Sequence, residues 1–141
     1  MYTMINTIFL CNSEGEYRIR RSFTLEKIDL RSAFKTKLAL RNFFRFEGKL
    51  YVVKTYKLVK IVFVVEHENP FIIFYYIDSL FQLLNAYFSG FSDSNLIYNY
   101  EEAYYMLDSM FLDGKLIQND REVILKNTRA FFRRRGVPKL M

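Results

Sequence analysis

The chain has no tryptophan, one cysteine, one histidine, two prolines and five glycines among its 141 residues. A single cysteine, Cys11, excludes an internal disulfide framework and fits a reducing compartment. With one Cys and one His (His67), a zinc site would need carboxylates for its other ligands, so no metal centre is expected. The glycines stand singly, without G-x-x-x-x-G-K or G-x-G-x-x-G spacing, and no G-x-S-x-G is present. Phosphate-loop nucleotide binding, dinucleotide binding and the α/β-hydrolase nucleophile are thereby set aside. Asp108 and Asp113 are five apart and do not share a helix face, which disfavours paired acid–base work. The expectation is a non-enzyme without cofactors.

Long uninterrupted apolar runs are also scarce. The most apolar stretch, Pro70 to Ser92, is broken by Asp78, Gln82 and Asn85, whereas a spanning helix wants about 20 mainly apolar residues. The opening residues Met1 to Asn6 carry no basic n-region, so no secretory signal is expected. No Pro- or Ser-rich linker and no repeat divides the sequence, and one domain over residues 1–141 is expected.

Abundant instead are apolar and aromatic side chains. The hydrophobic fraction is 51%, and Phe and Tyr number 15 and 11. That excludes a disordered tail and leaves apolar surface for a partner to cover. The formal charge is +6, with basic clusters at Arg18–Arg21 and Arg133–Lys139. Such surface suits nucleic acid, anionic lipid or an acidic partner, or is simply a solvated face. The aromatic runs Phe43-Phe44, Phe74-Tyr-Tyr76 and Tyr104-Tyr105 raise base stacking as an option. The latter two fall on expected helices, where core packing is the simpler role.

Met4 to Asn12 reads as an apolar strand, Ser13 to Glu16 as a Gly-containing turn, and Tyr17 to Phe23 as a returning strand. Alternation places Tyr17, Ile19, Arg21 and Phe23 on one face. A helix is expected over Leu25 to Leu40, capped by Thr24, with Leu30, Phe34 and Leu38 as its stripe. Strands follow at Phe43–Phe46, Lys49–Tyr56 and Val59–Glu66, with turns at Glu47-Gly48 and Lys57-Leu58. Pro70 to Phe88 is a helix with Pro at its first position and Ile73, Ile77, Leu80, Leu84, Tyr87 and Phe88 on one face. A second helix is expected from an Asn99 cap to a Gly114 stop, with Glu102 completing a capping box. Its stripe is Tyr100, Ala103, Tyr104, Leu107, Met110 and Phe111. A last helix covers about Asp120 to Phe132. The order β-β-α-β-β-β-α-α-α defines an α+β domain, with a five-stranded antiparallel sheet packed by helices.

Ile97-Tyr-Asn-Tyr-Glu-Glu-Ala-Tyr-Tyr-Met-Leu-Asp108, continuing to Gly114, resembles the F-N-F-x-K-A-Y-x-x-L-D-E-x-x-L-x-G block of the small, or sigma, subunit of clathrin-type adaptor complexes. Leu83-Leu-Asn-Ala-Tyr-Phe88 is similar to that family's V-L-N-E-Y-F. Ile8 to Arg18 looks like its first strand, Gly turn and returning Arg. The resemblance covers nearly the whole chain and implies a longin-like fold. It also implies an obligate large-subunit partner, a medium subunit in the same heterotetramer, and a peripheral position on Golgi, endosomal or coated-pit membranes facing the cytoplasm. In the family, the small subunit helps read acidic dileucine signals on cargo tails. Arg18 matches the arginine that receives the acidic end. The apolar places fall on Lys57, Val59, Phe81, Gly90, Phe91 and Leu96, with Ser94 where an aliphatic residue is usual. Lys57 and Phe81 would narrow that pocket. Two alternatives remain: another longin-type trafficking module such as a COPI zeta-like chain, and a basic nucleic-acid-binding α+β domain.

Overall fold

A computed structural model describes residues 5–35, 42–66 and 69–134. Five strands form one sheet: β1 (Ile5–Asn12), β2 (Tyr17–Ser22), β3 (Phe43–Phe46), β4 (Lys49–Thr55) and β5 (Val59–Val65). Their order is β2-β1-β5-β4-β3, and every pairing is antiparallel. The helices are α1 (Leu30–Phe34), α2 (Pro70–Phe88), α3 (Asp93–Tyr98), α4 (Tyr100–Met110) and α5 (Arg121–Arg134). A two-stranded ribbon, β6 (Phe111–Leu112) and β7 (Lys115–Leu116), links α4 to α5. This is the α+β class expected from the sequence.

The central strands are apolar on both faces because both faces are covered. On one, Ile8, Leu10, Ile19, Val52, Ile61 and Phe63 pack with the buried sides of α2, α4 and α5. On the other, Phe9, Cys11, Tyr51, Val53, Val62 and Val64 meet Leu30 and Ala33 of α1. Cys11 is fully buried, and burial pushes its thiol up to about 12. It behaves as the small buried hydrophobe expected.

Helix α2 follows the sequence closely. Asn69 caps it through Phe71 N–H at 2.9 Å, Pro70 opens it, and Ser89 ends it in the left-handed conformation. Its buried side is Ile73, Ile77, Leu80, Leu83 and Leu84, while Tyr87 and Phe88 are half-buried. By length and composition α2 could cross a bilayer. Here it lies on the sheet, and its Asp78 accepts hydrogen bonds from Lys54 and Tyr56 of the neighbouring hairpin.

Several expectations need correction. The helix expected from Leu25 begins only at Leu30. Asp29 is its cap, accepting from Ser32 N–H at 3.1 Å, and Glu26 is drawn away to Lys49 Nζ at 2.8 Å. Residues 36–41, His67 and the basic tail beyond Arg134 lie outside the described residues. Second, Tyr17 and Ile19 do not share a face. The β1–β2 register slips by one between Leu10 and Cys11, leaving Arg18 as the extra residue of a bulge. An extra residue reverses the alternation beyond it. Tyr17 therefore meets Phe9 (ring centroids 5.3 Å) while Ile19 faces the α2 side. Third, residues 93–98 form a separate short helix, with Asn95 Oδ1 accepting from Ser92 N–H at 2.9 Å. Asn99 makes no capping bond to α4 and instead donates to Glu102 at 3.2 Å. Fourth, α4 ends at Met110 and not at Gly114. Asp113 and Gly114, both with positive φ (52° and 78°), form the ribbon turn. That turn matches the twist of two paired strands. Tyr100, expected in the buried stripe, is half exposed, and Met106 takes its place.

The β1–β2 turn is held by Asn12 Oδ1, which accepts from Glu14 and Glu16 N–H at 3.0 Å each. Gly15 sits there at φ +88°, and a Cβ would meet the Phe34 ring at 3.2 Å. Gly15→Ala combines a left-handed L-residue with that contact. It should cost about 1–2 kcal/mol and lower the thermal melting temperature; an unchanged melt would contradict this.

Candidate functional site

Strand β2 is the outer strand beside β1, and its sequence is basic: Arg18, Arg20 and Arg21. The bulge turns Arg18 off the ladder, toward the start of α3. Its Nε donates to Asp93 Oδ1 at 3.0 Å and its Nη2 to Asp93 Oδ2 at 3.4 Å. This is the forked geometry that suits guanidinium and carboxylate. Glu16 and Glu14, on the adjoining turn, also act on the same guanidinium. A cleft of about 560 Å³ lies where the turn meets α1, with Arg31 and Lys35 on the α1 side.

The next two arginines are tied to α4. The Tyr104 hydroxyl donates to Arg20 O at 3.2 Å and accepts from Arg20 N–H at 3.4 Å. It thus occupies both outward backbone groups of that edge residue, the groups through which a bare edge recruits another strand. The Arg21 guanidinium lies 4.7 Å from the Tyr104 ring centroid and reaches Asp108 at 2.8 Å. Asp108 therefore serves as an ion-pair partner, and Asp113 stands apart in the ribbon turn. Arg20 Nε donates to Ser22 Oγ at 3.1 Å. The basic cluster that suggested an anionic partner is in large part answered by carboxylates of the chain itself.

The four apolar site residues all belong to, or pack against, the core on the α2 side of the sheet, and Phe81 and Phe91 touch. Val59 opens β5, Phe81 lies on α2, Phe91 follows α2 and Leu96 lies in α3. Phe91 and Phe81 are 6.4 Å apart edge-on, and Phe88 stacks on Phe91 at 5.9 Å. Val59, Phe91 and Leu96 are interior residues, 1%, 3% and 2% exposed. Phe81 is half-buried beneath Tyr56, the rings parallel with centroids 3.7 Å apart. Tyr56 is fixed in turn by its bond to Asp78, and burial pushes its phenol well above the usual range. Lys57, Gly90 and Ser94 are exposed around this cluster.

Sequence reasoning missed Asp93, Tyr104 and Tyr56. Ser92-Asp93 before an apolar residue is a short-helix start signal, so Asp93's placement was readable. Its pairing with Arg18, 75 residues away, was not.

The profile of the "Clathrin adaptor complex small chain" family matches residues 4–133. The chain belongs to that family. Its fold and its curated relatives mark it as a sigma-type small chain. The AP-4 complex subunit sigma-1 of Mus musculus is 24% identical over 132 residues, covering 86% of this chain and 92% of that protein. The AP-1 complex subunit sigma-1 of Schizosaccharomyces pombe is 25% identical over 131 residues, covering 86% and 81%. The AP-2 complex subunit sigma of Dictyostelium discoideum is 27% identical over 135 residues, covering 87% and 94%. In architecture, a chain of a homology model of the full-length AP-3 complex in a stretched open conformation superposes with TM-score 0.71. That match has 16% identity and covers 94% of this chain and 96% of the other. The longin-like arrangement expected from the sequence is thus the observed one.

Tyr104 generates a direct expectation. Tyr104→Phe should cost about 1 kcal/mol, and Tyr104→Ala should speed amide hydrogen exchange across β2 and raise aggregation. Unchanged exchange in β2 for the alanine variant would mean the edge is protected by other groups.

Proposed function

We propose that this chain is the non-catalytic small subunit of a heterotetrameric vesicle-coat adaptor in intracellular protein transport. It packs as one longin-like domain against a large subunit, with a medium subunit in the same assembly. The complex works at the cytoplasmic face of Golgi, endosomal or coated-pit membranes. The observation that carries this is the family match across residues 4–133, reinforced by sigma relatives from AP-1, AP-2 and AP-4 complexes. The exposed apolar residues Phe71, Ile72, Tyr75 and Tyr98 fit a chain with surface for a partner to cover.

A finer reading concerns cargo. Arg18 receives the acidic residue of an acidic dileucine signal, and Val59, Phe81, Phe91 and Leu96 accept its leucines. Support for the first half is the forked carboxylate geometry that Arg18 already adopts. For the second, Phe81 and Phe91 are in edge-on contact, and Val59 and Leu96 belong to the same core.

Arg18→Glu in the assembled complex should abolish binding of a fluorescent acidic dileucine peptide while leaving subunit composition intact. Unchanged peptide affinity would make Arg18 a surface residue only.

A further inference from the structure

If Arg18 receives a cargo carboxylate, the cargo meets an occupied receiver. Asp93 already holds the guanidinium through two of its donors, at 3.0 and 3.4 Å. The contact is partly shielded, with the two side chains 36% and 33% exposed. Asp93 is not a wandering surface acid. It is the first residue of α3, whose start is fixed by the Ser92–Asn95 bond and whose Leu96 is buried in the core. Arg18 is set opposite it by the bulge in β2. Both partners are thus held by backbone features, and the pair forms without cargo.

We propose that Asp93 is a resident competitor for Arg18 and thereby sets the selectivity of the site among acidic signals. This rests on the reading of Arg18 given above. Binding exchanges one carboxylate for another, so the net gain is the difference between the two pairings and not the whole of the new one. Released Asp93 stays at the start of a helix, where negative charge is tolerated. Glu14 and Glu16 add resident negative potential around the same guanidinium. A signal with a single poorly placed acid gains nothing from the exchange. A signal that presents its carboxylate squarely to the fork, or carries more than one acid, prevails. Asp93 acts through Arg18 and is a positioning and selectivity residue, touching no apolar part of the signal.

The test uses the complex assembled with its large and medium subunits and two fluorescent peptides. One is an acidic dileucine peptide, and the other has its acidic residues replaced by Gln. Asp93→Asn should bind the acidic peptide about two- to fivefold tighter and the Gln peptide unchanged. Asp93→Glu, which keeps the carboxylate, should stay near the parent affinity. The proposal is overturned if Asp93→Asn leaves the acidic peptide's affinity unchanged. It is equally overturned if that variant weakens both peptides together, since loss of α3 would do that. Arg18→Glu separates the two levels. No effect of Arg18→Glu on the acidic peptide defeats the reading of Arg18 itself. Lost binding with Arg18→Glu but no gain with Asp93→Asn defeats only the role of Asp93.

Discussion

The structure depends on a sheet whose central strands cannot face water on either side. All eight residues of β1 are buried, as are six of the seven in β5. Exposing either face would forfeit about 25 cal/mol for each Å² of apolar surface. One face is closed by α2, α4 and α5, and the other by α1. The helices are therefore needed to close the sheet. With the two sheet faces closed, part of the aromatic content lies on the surface as Phe71, Tyr75 and Tyr98.

Covering the faces leaves the edges. At the β2 edge, the solution is chemical as well as steric. Tyr104 fills both outward backbone positions of Arg20, Asp108 answers Arg21, and Asp93 answers Arg18. Helices α3 and α4 thus reach the sheet through a row of polar contacts to three arginines. The same row gives Arg18 and Arg21 of the basic cluster carboxylate partners within the chain, while Arg20 bonds Ser22. It leaves Arg18 as the arginine at the turn end of the strand, with two glutamates and the cleft beside it.

Much of this was legible in the residues, for identifiable reasons. Pro70 and three-and-four apolar spacing place α2 to the residue. Glu47-Gly48 marks the β3–β4 turn, and both residues have positive φ (51° and 80°). The misreadings have separate physical causes. Helix-forming composition from Leu25 loses to Asp29 as a cap and to the Glu26–Lys49 pair. Six residues of α3 are too few to show a period. A bulge changes no residue type, so nothing in the alternation announces that Tyr17 and Ile19 part company at Arg18. The site residues Arg18, Val59, Phe81, Phe91 and Leu96 were reached through family resemblance. Spacing alone reads most of them as core, and the burial of Val59, Phe91 and Leu96 agrees with that plainer role.

The central claim is that this chain is built to be one part of an adaptor complex. The most direct measurement is isolation of the tagged chain from its own cells at physiological salt, with the stoichiometric partners identified by mass spectrometry. The account predicts an adaptor large subunit recovered one-to-one, and a chain that is poorly soluble when made without it. A stable, monodisperse monomer that brings down no coat subunit would contradict it.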